Sequence, residues 1–291
     1  MRKIAIIGAA CGCGAQNHGC QDGPEVLRAL DFFGSLHEYG INYFWDDVIH
    51  LPGSCPAEPL PAISGLCGGL AEQVADALRR GHFPLVLGGD HSCAIGTWSG
   101  IAAATAANGK LGLLWIDAHM DSHTFATTPS GAIHGMPLAC LLGHGAPELT
   151  GIGMTTAKLR PENVCLLGVR SYEAGEAALL KELGVRVYGM TEIRERGFDA
   201  VFAEALERVQ ANTAGFGVSL DLDVLDPAEE AGVGSPAPGG IFKHELALAF
   251  RKLHHNPHFL AMEIVEYNPY LDDRFMTAQA ACELFAAATP F

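Results

Sequence analysis

Short apolar runs alternate with amphipathic segments along the chain, and the two periods can be told apart by eye. Ile4 to Ile7 reads as a first strand closed by Gly8. After a glycine- and cysteine-rich loop, Gly23-Pro24 opens a helix through Val26, Leu27 and Leu30. Ile41 to Val48 is a second strand. Leu70, Val74 and Leu78 stand four apart and stop at Gly81, which marks a helix feeding the strand Pro84 to Leu87. An alanine-rich helix from Ala94 to Ala107 leads through Asn108-Gly109 to the apolar run Leu111 to Ile116. Val164 to Val169 and Val185 to Met190 are further strands, separated by a helix over Ala174 to Leu183. Phe202, Leu206 and Val209 mark a helix before the strand Gly215 to Leu225, and Leu246, Phe250 and Leu253 mark the helix after it. Leu260 to Val265 is the last strand and Phe275 to Ala288 the last helix.

Eight strand-like runs alternating with helices predict an α/β fold. Its sheet should be mainly parallel and covered on both faces, because the central runs are apolar almost throughout. The period alone allows an open three-layer α/β/α sandwich or a closed eightfold barrel. No repeat, low-complexity tract or linker breaks the pattern. With 49% apolar content in 291 residues, a single domain over 1–291 around one large core is expected.

Eighteen basic against thirty-three acidic residues give a formal net charge of −15, which disfavours nucleic acid and anionic membrane as partners and suits a small cation. No uninterrupted apolar stretch of 18 residues occurs, and Met1-Arg2-Lys3 runs directly into a strand pattern. A cytoplasmic protein is therefore expected. Nine cysteines, an odd number without regular spacing, read as reduced thiols. Cys11-Gly12-Cys13 reads as small thiols in a tight strand-to-loop turn, in preference to a redox pair or a soft-metal site. His254, His255 and His258 read as a solvated helix end.

The chemistry concentrates where strands end. Asp117, His119 and Asp121 follow Leu111 to Ile116 at alternate positions, and extended backbone would point all three the same way. Asp221 and Asp223 repeat the spacing, with Leu220, Leu222 and Val224 on the opposite face, and His91 follows Gly88-Gly89-Asp90. Four aspartates in one cleft repel unless cations of similar total charge lie between them, which calls for two divalent ions. Carboxylate with a minority of imidazole suits manganese, with Co2+, Ni2+ or Fe2+ as other choices, while the lack of cysteine ligands argues against a closed zinc site. Two such ions roughly 3.5–4 Å apart can share a water and bring its pKa from about 15.7 toward neutrality.

Gly88-Gly89-Asp90-His91-Ser92, Asp117-Ala118-His119-Met120-Asp121 and Ser219-Leu220-Asp221-Leu222-Asp223 resemble the three signature motifs of the arginase, or ureohydrolase, family, in order and separation. The resemblance covers nearly the whole chain and implies the open sandwich over the barrel. It implies that His91, Asp117, His119, Asp121, Asp221 and Asp223 bind two manganese ions, and that Asp121 also hydrogen-bonds the bridging hydroxide. Ser130 to Pro137 resembles the family loop whose histidine, here His134, shuttles protons near the leaving amine. Glu266 resembles the glutamate that grips the guanidinium, although pairing with Arg170 is a second possibility; Ser235 matches a position lining the pocket, and Glu263 stands on the same last strand. Two asparagines that help arginases hold the amino-acid carboxylate are replaced by His123 and Ala132, while Ser130 is retained. An aspartate that contacts the amino group is replaced by Glu173, and a neighbouring acid by Ser171.

The resemblance thus implies a binuclear hydrolase that attacks the guanidinium carbon of L-arginine with metal-bound hydroxide to give ornithine and urea. Agmatinase, guanidinobutyrase or formiminoglutamase chemistry at the same metals is the first alternative. A single-zinc deacetylase of related architecture and a catalytically silent scaffold are others. Family members often form trimers or hexamers, so a homo-oligomer is expected.

Overall fold

The computed structural model describes residues 2–31 and 33–289. Met1, at the head of the lead-in read from the sequence, lies outside them. Eight strands form one sheet: β1 Ile4–Ala10, β2 Tyr43–His50, β3 Phe83–Gly88, β4 Lys110–Ile116, β5 Leu159–Val169, β6 Arg186–Gly189, β7 Thr213–Asp221 and β8 Phe259–Val265. Their order is β2-β1-β3-β8-β7-β4-β5-β6, and every pairing is parallel. The sheet is open, so the barrel permitted by the period is not formed. Alternate residues of the inner strands feed two cores: Ile6, Leu85, Leu114, Val218 and Ile264 face the helices Phe198–Gln210, Lys243–Phe250 and Met276–Ala288. Ile7, Val86, Trp115, Leu166 and Ala261 face Leu60–Arg79 and Ala94–Thr105. Both faces of the strands are thereby buried, which is what their unbroken apolar sequence requires.

Element boundaries differ from the sequence reading in three instructive places. β1 runs past Gly8 to Ala10, because Gly8 is a pairing residue between Val48 and Leu87; a Cβ there would lie 2.8 Å from the Val48 side chain. β7 stops at Asp221, and Leu222–Val224 is a 3-10 turn instead of strand. Met190 opens a short helix, Met190–Arg196, and does not end β6. The histidines His254, His255 and His258 are exposed beyond the turn Arg251–Leu253, as expected.

Candidate metal centre

Five neighbouring strands, β3, β8, β7, β4 and β5, end side by side, and the chain leaving each carries one part of the site. This is the carboxyl edge at which open parallel sheets bind ligands. After β3, Gly89 crosses so close to the β1 loop that a Cβ would fall 1.8 Å from the Cys11 carbonyl oxygen. Asp90 then caps the turn His91–Cys93 by accepting from Ser92 N–H at 3.0 Å, and also takes Gly14 N–H at 2.7 Å. β8 continues to Glu266, whose N–H donates to Gly89 O at 2.8 Å and whose φ is +65°. Asp221 closes β7 and accepts from Asp223 N–H at 2.8 Å, which turns Asp223 back toward the site.

The Asp117 to Asp121 stretch departs from the expected extended strand. β4 ends at Ile116, Ala118 and His119 bend, and Asp121 lies in the left-handed region at φ +47°. A straight strand would have sent three side chains to one line. The bend sends Asp117 between two histidines and Asp121 back over the first of them. His91 Nδ1 lies 2.9 Å from Asp121 Oδ2, 3.1 Å from Asp221 Oδ2 and 3.2 Å from Asp117 Oδ2. His119 Nδ1 lies 2.9 Å from Asp223 Oδ2 and 3.5 Å from Asp117 Oδ1. Five of the six residues fall into two adjoining sets that share Asp117, His91 with Asp221 and His119 with Asp223, and Asp121 joins the first through His91.

Their electrostatics fit two cations. His91 Nδ1 is buried and has no hydrogen-bond partner although three carboxylate oxygens converge on it, the arrangement of ligand atoms around an ion. Burial, and then the charge of Asp117, push Asp121 up to about 6. Burial and the neighbouring Asp223 and Asp117 push Asp221 well above the ordinary carboxylate range. Burial raises Asp117 too, but the adjacent His119 and His91 outweigh it and hold that carboxyl low. Four aspartates thus cannot all ionise together without added positive charge, and an all-oxygen and imidazole donor set suits a hard or borderline divalent ion.

Above this floor lies a cavity of about 170 Å³ lined by His119, Asp121, Asp221 and Asp223 below and by His123, Ser130, His134, Glu173 and Ser235 on its walls. Glu266, 2% exposed, opens into an adjoining cavity shared with Ser130, His134 and Ser235. His134 Nδ1 is 3.0 Å from Glu266 Oε1, which also accepts His91 N–H at 2.9 Å. Burial works against the imidazolium, but Glu266 more than offsets it and His134 is pushed up to about 9. Arg170 does not pair with Glu266: it donates to the carbonyls of Gly168, Asp223, Leu225 and Ala237.

The substitutions on the head-group side form a unit of their own. His123 Nε2 lies 3.0 Å from Glu173 Oε2 and its Nδ1 3.1 Å from Thr127 Oγ1, so the histidine and the longer acid meet across the wall. Glu176, which the sequence reading passed over, lines the same wall. It accepts Glu173 N–H at 3.0 Å and Ser122 N–H at 3.3 Å and lies 3.4 Å from His123. Burial pushes Glu176 up to about 8. Its sequence signal was the Glu-x-x-Glu spacing opening the helix Ala174–Leu183, a capping box. Cys20 was also missed; its thiol donates to Glu266 Oε2 at 3.2 Å.

One cysteine expectation is overturned. Cys13 and Cys55 form a disulfide across 42 residues, because the loop after β1 and the loop after β2 meet beside the sheet edge. The other seven cysteines are free and buried, and Cys11 is not paired with Cys13.

The arginase family model matches residues 2–289. The arginase of Bacillus caldovelox is 40% identical over 99% of this chain and 98% of its own length, and that of Bacillus subtilis 39% over 97% and 96%. A solved arginase from Bacillus cereus superposes with a TM-score of 0.92 at 35% identity, covering 100% of this chain and 99% of that one. No helix among the described residues is long and apolar enough to cross a membrane. With its whole length matched and its motifs gathered at one edge of the sheet, the chain belongs to the arginase family and is a ureohydrolase.

Proposed function

We propose that the chain hydrolyses L-arginine to ornithine and urea with two manganese ions held by His91, Asp117, His119, Asp121, Asp221 and Asp223. The observation that carries this reading is the convergence of those six side chains, with His91 Nδ1 unpartnered, beneath a cavity in a chain whose curated relatives at 35–40% identity are arginases. Two divalent ions, when bound, supply Lewis-acid polarisation and acidify water at neutral pH. Glu266 receives the guanidinium: a planar carboxylate opposite a planar cation offsets the cost of burying that charge. His134 carries a proton at neutral pH, because Glu266 holds it, and delivers it to the leaving amine. Asp121 would help hold one ion, and its carboxylate would accept a hydrogen bond from the attacking water.

The tail of the substrate falls to His123, Ser130, Glu173 and Ser235. A hydroxyl and an imidazole suit a carboxylate, and Glu173, held below the ordinary carboxylate range by His123, suits an ammonium. Arginine should therefore be preferred over agmatine, since a pocket built for hydrogen bonds rejects analogues that leave its groups unpaired. A cytoplasmic location and a homo-oligomeric assembly complete the reading; the seven buried free thiols support the first, and the Cys13–Cys55 disulfide weighs against it. The test is kcat/KM for arginine, agmatine, 4-guanidinobutyrate and formiminoglutamate on one manganese-loaded preparation. Agmatine or guanidinobutyrate equalling arginine would refute the substrate assignment and leave the metal chemistry standing.

A further inference from the structure

Glu263 is a fully buried carboxylate on β8 for which the reaction above has no use. Among the described residues no lysine or arginine forms an ion pair with it. It is held by hydrogen bonds alone: Thr97 Oγ1 donates to Oε1, while Trp98 Nε1 at 3.0 Å and Ser219 Oγ at 2.7 Å donate to Oε2. Burial pushes its carboxyl up, and His91 together with these donors pulls the other way. A buried charge at this depth needs a purpose or a partner. Its chain of contacts leads to the metal centre, because Ser219 Oγ is also 3.0 Å from His91 Nε2.

The chain has only one consistent direction. A carboxylate has no proton to give, so Ser219 must use its single O–H on Glu263. Its oxygen is then left as an acceptor, and His91 must supply the Nε2–H. That puts the imidazole lone pair on Nδ1, the atom facing Asp117, Asp121 and Asp221. Trp115 stacks on the ring at 4.2 Å and 11° and donates its own N–H to Asp117 Oδ2 at 2.9 Å, so ring plane and ring polarity are fixed from different sides. We propose that Glu263 is a positioning residue for one of the two metal positions: acting through Ser219, it selects the His91 tautomer and so makes Nδ1 the ligand atom. This rests on His91 being a ligand. Neighbours beyond the ligands themselves commonly change metal affinity by about 10- to 100-fold.

Methionine at 263 keeps about the same volume and removes the acceptor, whereas glutamine would keep it, because Trp98 Nε1 only donates and holds an amide oxygen toward Ser219. With methionine there, Ser219 is free to turn its proton to His91 Nε2, which moves the imidazole proton onto the ligand atom. The experiment is calorimetric titration of Mn2+ into chelator-stripped protein, with electron paramagnetic resonance to distinguish a spin-coupled ion pair from single ions. Glu263→Met and Ser219→Ala should each weaken one of two sites about 10- to 100-fold and spare the other, so that single-ion spectra replace the coupled signal at limiting metal. Ser219→Ala keeps the Thr97 and Trp98 hydrogen bonds to Glu263, and it carries the test if Glu263→Met does not fold. Unchanged affinity at both sites in Ser219→Ala, or equal weakening of both, overturns the positioning role. Fewer than two ions bound by the unsubstituted protein overturns the metal reading beneath it.

Discussion

Replacing Glu266 with glutamine should strip His134 of its raised basicity. The two side chains meet at 3.0 Å with 23% and 3% of their surface exposed, and His134 is pushed to about 9 mainly by that carboxylate acting against burial. At about 1.36 kcal/mol per pH unit, a histidine held there instead of near 6.5 corresponds to roughly 3 kcal/mol of pairing. The folded value lies above the unfolded one, so the stabilisation is fully present below pH 6.5 and is lost as pH rises through about 9. The stability gap between the unsubstituted protein and Glu266→Gln should therefore be widest between pH 5 and 6.5 and close above 9. Without the carboxylate, burial is opposed only by Asp121 and Asp90, and His134 should titrate well below 9. Denaturant unfolding of metal-free protein across this pH range, together with NMR titration of labelled histidines assigned through His134→Gln, reads both effects. A histidine still titrating near 9 in Glu266→Gln, or a stability gap independent of pH, would show that the pair is not the cause. Divalent ions at Asp121 should lower the His134 value in the unsubstituted protein, since that aspartate is one of the charges raising it.

Chelation should lower the melting temperature, because it leaves Asp117, Asp121, Asp221 and Asp223 facing one another; metal analysis should return two ions per chain, and one tightly held zinc in fully active protein would contradict the assignment. His134→Ala should lower kcat by about 10²- to 10⁴-fold with little change in KM, as expected for proton delivery in the transition state. An unchanged kcat with a raised KM would make it a substrate contact instead. Cys55→Ser should cost about 4 kcal/mol in denaturant unfolding, from the entropy of closing a 42-residue separation, and an unchanged midpoint would mean the bond does not constrain the unfolded chain.

The sheet was legible because burial on both faces forces an unbroken apolar code, as in Leu111 to Ile116, and the candidate ligands stood out because they lie one or a few residues beyond such runs. What could not be read depends on where the chain turns after it leaves the sheet. The bend at Asp121 is set by contacts, including Leu138 N–H donating to its carbonyl at 2.9 Å, that no local spacing announces. Cys13 and Cys55 pair because two loops adjoin, and nine cysteines allow too many pairings for order alone to choose. Glu263 looked like one more acid on a strand. Only the sheet order, which sets Ser219 beside it in register, connects it with His91.

That order also bears on how the molecule is made. β1, β2 and β3 emerge first from the ribosome, yet the partner of β3 on its inner side is β8, more than half the chain later. Until Phe259–Val265 is synthesised, the strand that delivers His91 presents an open and wholly apolar edge, a template for pairing with another nascent chain. The remaining strands β4 to β7 form a second block that lacks the same member. β8 is the keystone between two half-sheets, and the candidate ligands divide along that seam: His91 comes from one block and the four aspartates and His119 from the other. A chain truncated before residue 259 should therefore give neither a weakened centre nor a partial one, but two sticky half-sheets on one chain, with the candidate ligands stranded on separate edges.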